Sequence, residues 1–184
     1  MTGPPTPDRE LGRGRWLRLV DRGGWEFAER VRGTAVACVV AITPEEELVL
    51  VEQFRPPVGR PVIELPAGVV GDLEDAADES AAEAARRELL EETGYEPGPE
   101  GLVPLVPLVS SGGLSSEELH VFITRDAVRT GPGGGDATES IRVHTIPLTD
   151  LDAWVRARVN AGAAVDGRVF AAWAFARMHP GPSA

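Results

Sequence analysis

Lysine is absent from this chain; all 18 basic side chains are arginine. That excludes Schiff-base chemistry, a Walker-type phosphate loop with its lysine, and lysine-anchored cofactors such as pyridoxal phosphate. A single cysteine, Cys38, excludes a disulfide framework and a cysteine-rich zinc site. His120, His144 and His179 include no i, i+4 pair, which argues against a histidine-based zinc site. No apolar run is long enough to span a bilayer, so no membrane association is expected. The opening MTGPPTPDRELGRGR lacks an apolar core and does not read as a secretory signal, so a cytoplasmic location is the default expectation. Positive charge is also short: 29 acidic residues leave a net charge of −11. Such a surface repels polyphosphate backbones, so nucleic acid is not an expected partner. Phosphorylated small molecules remain accessible if a divalent cation neutralises both sides.

What is present reads as one compact domain. A chain of 184 residues buries roughly 70% of its unfolded surface and needs no staples. Residues 1–14, rich in Pro, Gly and Arg, read as a poorly ordered tail, 15–179 as a single domain, and 180–184 as a second tail. PGPEG (97–101) and GPGGG (131–135) are loops. Strand patterns occupy 16–20 and 25–32, flanking Gly23-Gly24 as a hairpin, then 34–42, 47–54, 61–68, 102–109, 118–126 and 140–148. Helices are predicted over 81–93, 150–160 and 167–178. Ser80 and Glu83 form a capping-box pattern for the first, and Gly94 ends it. Short strands with a central helix and two late helices imply a mixed α/β domain.

The sharpest feature is ARRELLEETGY, residues 85–95. On an α-helix Glu88, Glu91 and Glu92 fall within about a 100° arc. Like charges at this spacing repel, and carboxylates near a helix C-terminus oppose the macrodipole. The alternatives are a solvated acidic face or a cation site. Ala81, Ala84 and Ala85 continue the arc, which implies close approach to other backbone. Partly buried carboxylates of one sign need a cation, and hard oxygen donors point to Mg²⁺ or Mn²⁺.

Gly68, Glu79, Arg87, Glu88, Leu89, Glu91, Glu92, Gly94 and Tyr95 resemble the box of the Nudix hydrolase family. The gap from Gly68 to Glu79 is five residues longer than the box. Glu74 keeps the alternative spacing, so either Glu74 or Glu79 is the box acid; Glu79 is favoured because it directly precedes Ser80. Asp72, Glu74, Asp75 and Asp78 read as a solvated loop, with a weak extra metal site as the alternative. VEQFRPPVGRPVIELPAG (51–68), SGGLSSEELHVF (111–122), GGGDATESIRVHTIPL (133–148) and AGAAVDGRVFAAW (161–173) are similar to the ADP-ribose and nucleoside-diphosphate-sugar pyrophosphatase branch.

The resemblance implies a Nudix fold, a mixed β-sheet sandwiched between helices. It implies Mg²⁺-dependent (or Mn²⁺-dependent) cleavage of a nucleoside diphosphate sugar to NMP and sugar phosphate. ADP-ribose or an ADP-sugar is the first expectation and a GDP-mannose-like substrate the second. Ser111-Gly112-Gly113 departs from the Ser-Pro-Gly of ADP-ribose pyrophosphatases, which widens the substrate range. By the same resemblance, Glu88 and Glu92 are the main metal ligands with the Ala67 carbonyl, Glu91 joins them directly or through water and counts as catalytic, and Arg87 pairs with a box acid, a surface arginine being the alternative. Glu117 is the general base, with Glu118 and Glu139 as alternatives. Arg55 contacts phosphate or pairs within its hairpin. Trp25 stacks the base or packs in the core or at an interface, and Trp16 is a weaker version of the same idea. Residues 15–32 mediate a homodimer. Trp154, Trp173 and Cys38 read as core. The rivals are a non-hydrolytic nucleotide-sugar sensor and a housecleaning hydrolase of oxidised nucleotides or dinucleoside polyphosphates.

Overall fold

The computed structural model describes residues 7–33, 35–71, 78–135 and 140–180. It begins with three strands, β1 (Arg9–Arg13), β2 (Leu17–Arg22) and β3 (Trp25–Arg30), paired antiparallel. Then follow β4 (Ala35–Ala41), β5 (Glu47–Arg55), β6 (Arg60–Glu64), β7 (Ala67–Val69) and α1 (Ala81–Glu88). The second half holds β8 (Tyr95–Glu96), β9 (Val103–Pro104), β10 (Leu108–Val109), β11 (Glu118–Thr124), β12 (Val128–Arg129) and β13 (Arg142–Pro147). It closes with α2 (Leu151–Asn160), β14 (Ala164–Val165) and α3 (Gly167–Met178).

One central sheet runs β10-β11-β4-β7, with β9 also on β11, and β11 lies parallel to β4. The other runs β13-β5-β6-β14, with β14 parallel to β6. β12 and β8 form a small separate pair. β4 is buried on both faces, as its unbroken apolar sequence requires. Val36, Cys38 and Val40 point to one side, with Leu50, Ile63 and residues of α2 and α3 such as Val155 and Val169. Ala37, Val39 and Ala41 point to the other, against Ala84, Ala85 and Leu89. Sheet strands therefore lie between α1 and the two late helices, the layered mixed α/β arrangement expected. Among the described residues no helix is long and apolar enough to cross a membrane.

Several expectations need correction. Part of the expected N-terminal tail is ordered: Arg9–Arg13 pairs with β2. Its strand is all polar or exposed, so no apolar alternation announced it; ladder hydrogen bonds and the ion pairs Arg9–Asp21 and Asp8–Arg22 hold it. Residues 61–68, read as one strand, divide at Leu65-Pro66 into β6 and β7, which belong to different sheets. Residues 102–109 divide into β9 and β10, because prolines at 104 and 107 cannot donate to a continuous ladder. The Gly23-Gly24 hairpin forms as read, with both glycines at positive φ (64° and 90°).

The predicted helix over 81–93 is α-helical only to Glu88; Leu89–Thr93 is a π-helical turn. Its start is as expected: Ser80 Oγ accepts from the Glu83 N–H, and the Glu83 carboxylate accepts from the Ser80 N–H (2.8 Å). At its end the Thr93 hydroxyl donates to the Leu89 carbonyl, a side-chain bond that competes with the regular ladder. Gly94 closes the turn at φ 74°.

Candidate active site

The site begins at the Pro66–Gly68 backbone. The Pro66 carbonyl accepts from the Val39 N–H (3.0 Å), and Ala67 and Gly68 pair with Cys38 and Ala37. The alanines of α1 pack over β4 without bulk, which brings the helix close to this strand. Glu88 then reaches the backbone of Gly68. A Cβ at Gly68 would lie 1.9 Å from Glu88 Oε1 and 2.0 Å from its Cδ. Glycine here leaves the space that the carboxylate occupies.

The π turn sorts the three acids. An i→i+5 turn advances less per residue than an α turn, so Glu92 returns over Glu88 while Glu91 swings outward. Glu92 is buried, and its Oε2 accepts from the Ala67 N–H (3.0 Å). Glu91 is about half exposed (54%) and does not line the cavity that holds the other two. The expected single face of three carboxylates is thus two acids inside and one at the rim.

Arg87 binds these parts. Its Nε and one terminal nitrogen engage both oxygens of Glu79 (2.9 and 3.1 Å). Its other terminal nitrogen donates to Glu88 (2.7 Å) and Glu91 (3.3 Å). Hydrogen bonds from Arg87 hold the Glu79 carboxyl below its usual range, and Glu79 in turn raises the Arg87 guanidinium above its own. The Gly71 N–H also donates to Glu79 (3.4 Å), tying the preceding loop to the helix. Glu74, the alternative box acid, and the nearby Asp72 and Asp75 lie outside the described residues, as does Glu139.

A cavity of about 430 Å³ is lined by Ala67, Gly68, Glu88 and Glu92 together with Arg30, Arg55, Glu64, Glu117 and Arg168. Glu117 Oε1 accepts from Arg30 Nε (2.8 Å) and lies 2.6 Å from a terminal nitrogen of the same guanidinium. Arg55 Nε donates to Glu64 (2.8 Å), so Arg55 both pairs within its hairpin and faces the cavity. Glu64, Arg30 and Arg168 went unread in the sequence. The available signal was Glu64 itself, an acid flanked by apolar residues in PVIELPAG. A larger concavity of about 660 Å³ lies elsewhere, around Phe54, Arg129, Gly133 and Arg142; among the described residues its only carboxylate is Glu52, and none of the box acids lines it.

Trp25 stands outside the acid-lined cavity, in an adjoining groove of about 510 Å³ with Phe27, Gly112, Ser115, Glu118 and Glu117. Glu117 is common to both hollows. Trp25 is exposed, and its indole N–H donates to the Gly113 carbonyl (3.3 Å). The Ala28 N–H donates to Leu114 O (2.8 Å), and the Ser116 N–H to Ala28 O (3.2 Å). The 111–117 loop is therefore laid along β3, which is how Glu117 reaches Arg30. Trp16 is exposed with Arg15 stacked on it, whereas Trp154 and Trp173 pack on the core. Cys38 is fully buried, and burial pushes its thiol up to about 11.

Among the described residues no three His, Cys, Asp or Glu side chains are gathered ready to hold a metal. The donor chemistry nevertheless suits a hard divalent cation. Two carboxylates of like charge sit beside the backbone of Ala67, in a cradle that a Cβ at Gly68 would fill.

A profile of the NUDIX domain matches residues 31–165. The chain is similar to the methanol dehydrogenase activator of Bacillus methanolicus, 32% identical over 129 residues, 70% of this chain and 66% of that protein. It is similar to the ADP-ribose pyrophosphatase of Bacillus subtilis, 33% identical over 131 residues, 71% of this chain and 67% of that protein. It thus spans about two thirds of the length of these relatives. The crystal structure of an ADP compounds hydrolase shares the fold, with a TM-score of 0.62 and 20% identity over 82% of this chain and 84% of the other.

Proposed function

The chain belongs to the Nudix family, and on that premise we propose that it hydrolyses the pyrophosphate bond of a nucleoside diphosphate sugar to NMP and a sugar phosphate. ADP-ribose or an ADP-sugar is the first candidate, with a GDP-mannose-like substrate second. The observation that carries this reading is the single cavity that gathers Glu88, Glu92, Glu117, Arg30 and Arg55. The name of the Bacillus subtilis relative agrees with it.

Glu88, Glu92 and the Ala67 carbonyl would hold Mg²⁺ or Mn²⁺, with Glu91 joining from the rim. When bound, such a cation screens the phosphate charge and lowers the pKa of an attacking water. The protein groups divide the remaining work. Glu117 takes the proton of that water, and Arg30 holds its carboxylate in place. Arg55, fixed through Nε by Glu64, donates no hydrogen bond from its terminal nitrogens among the described residues, and these meet phosphate oxygens. Arg87 and Glu79 are structural and brace the helix that bears the acids, while Gly94 closes it. Trp25 offers a face to the nucleobase in the groove that shares Glu117. Trp16, Leu17 and Leu19, exposed at the N-terminal sheet, give a homodimer through residues 15–32 an apolar surface to cover. The protein acts in the cytoplasm, with no nucleic acid or membrane partner.

The test is NMP release from a panel of nucleotide sugars with Mg²⁺, wild type beside E92Q. Glu92→Gln keeps the size but loses the charge, and turnover should fall at least about 100-fold. Equal rates for the two proteins refute the metal assignment. Turnover of nucleoside triphosphates alone supports the housecleaning reading. Nucleotide-sugar binding without turnover supports the sensor.

A further inference from the structure

Arg168 faces the same cavity as Arg55 and Glu117, yet it sits where helix electrostatics disfavour it, in the first turn of α3. Its placement is elaborate. Asp166 caps the helix, accepting from the Arg168 backbone N–H (2.7 Å), and also takes the guanidinium in a two-pronged grip (2.8 and 2.7 Å). Burial opposes ionisation of Asp166, but Arg168 holds its carboxyl below the usual range. The Asp166 N–H donates to the Ile63 carbonyl (2.9 Å), and β14 pairs with β6, so the start of α3 is sewn to the strand that carries Glu64. From there the same Arg168 terminal nitrogen lies 3.5 Å from Glu64 Oε1. The other oxygen of Glu64 accepts from Arg55 Nε (2.8 Å). Asp166, Arg168, Glu64 and Arg55 form one continuous chain of alternating charge that ends at the phosphate-facing guanidinium.

We propose that Arg168 is a positioning residue for Arg55, acting through Glu64, in the binding of a diphosphate. Glu64 is almost fully buried and has two oxygens to satisfy. While Arg168 draws on one of them, the carboxylate meets Arg55 through Nε alone, and the terminal nitrogens of Arg55 remain available to substrate. Without Arg168, Glu64 turns both oxygens to Arg55 in the two-pronged geometry that guanidinium and carboxylate prefer, and withdraws Arg55 from the cavity. Arg168 itself takes no proton and touches no reacting atom. The inference rests on the reading above that the cavity receives a nucleoside diphosphate.

The experiment measures ADP affinity by calorimetry in Mg²⁺ buffer for full-length wild type, R55Q, R168Q, R168K, D166N and the R55Q/R168Q pair. R55Q and R168Q should each weaken ADP about tenfold, and the pair should bind within about twofold of R55Q alone. R168K, which restores charge to Glu64, should recover part of the loss. Wild-type affinity in R168Q, multiplication of the two losses to about 100-fold, or a wild type that does not bind ADP overturns the proposal. Should R168Q fail to fold by circular dichroism, D166N decides: asparagine keeps the helix cap but loosens Arg168, so its ADP affinity must drop, and unchanged affinity overturns the role. Turnover is scored separately. Coupled ADP binding without NMP release from any nucleotide sugar sinks the hydrolase reading and leaves Arg168 its role. Hydrolysis with ADP affinity indifferent to Arg168 does the reverse.

Discussion

Adding one methyl group at Gly68 separates folding from chemistry. Gly68 has no positive φ, so alanine fits its backbone, and replacing a strand glycine is favourable by about 0.5–1 kcal/mol. The new Cβ would nevertheless fall 1.9 Å from Glu88 Oε1. To regain ordinary contact the carboxylate must retreat by about 1.5 Å, the gap between that distance and a normal approach of about 3.4 Å. The obstructing atoms, Oε1, Cδ and Cγ (2.5 Å), all belong to the flexible Glu88 side chain and none to backbone, so this side chain shifts and the fold yields. The catalytic geometry does not: displacement on this scale costs about 100-fold in rate, or about 2.7 kcal/mol of barrier. G68A should therefore melt at or above the wild-type temperature while kcat with Mg²⁺ falls about 100-fold. Gly94→Ala is the control. There the methyl would lie 2.2 Å from the Gly131 carbonyl oxygen, at φ 74°, against backbone that cannot step aside. G94A should lose at least about 1–2 kcal/mol of stability from the left-handed conformation alone. If G68A turns over as fast as wild type, or unfolds as readily as G94A, the placement of Glu88 against Gly68 is wrong.

Three further outcomes follow from the same geometry. Glu79→Gln removes the charge that both bonds from Arg87 engage, and should cost about 1.5–3 kcal/mol in urea-derived stability; a loss under 0.5 kcal/mol, the ordinary range for surface substitutions, would show that the pair does not brace the loop. Burial opposes ionisation of Glu52, but His144 and Arg158 hold its carboxyl below the ordinary value of 4.5. Its contribution is therefore complete above that value and is lost as pH falls through the lowered folded-state pKa. The urea midpoint of wild type should drop below about pH 4.5 more steeply than that of E52Q; parallel curves for the two proteins refute the assignment. Cys38, with its thiol pushed up to about 11, should resist a thiol reagent at pH 8 in the native protein and react at once in urea. Rapid native labelling contradicts its burial.

Legibility tracked the distance over which each feature is specified. The capping box at Ser80 and Glu83, the stop at Gly94 and the turn at Gly23-Gly24 all formed where they were read. Each depends on hydrogen bonds or dihedral angles within a few residues. Ala84 and Ala85 were legible as a close-packing face because alanine at helical spacing has few other uses. The family likeness called for Arg87 to pair with a box acid, Glu79 favoured over Glu74; Arg87 bonds Glu79, and Glu74 lies outside the described residues. The strand at Arg9–Arg13 was hidden because its pairing is made by backbone, with no apolar pattern to betray it.

By itself, then, the sequence determined the mixed α/β class, the acidic helix and its family, since periodicity, caps and motif spacing are local quantities. Tertiary structure decided which acids share a cavity. The π turn sends Glu91 to the rim and Glu92 inward, a rotation that uniform helical spacing cannot express. Long-range pairing decided the rest: β3 delivers Arg30 to Glu117, the β5–β6 hairpin delivers Arg55 to Glu64, and β14, paired with β6, leads into the turn that brings Arg168 to Glu64. Those arginines stand far from the box in the chain. Only the pairing of strands from separate segments brings them to one cavity.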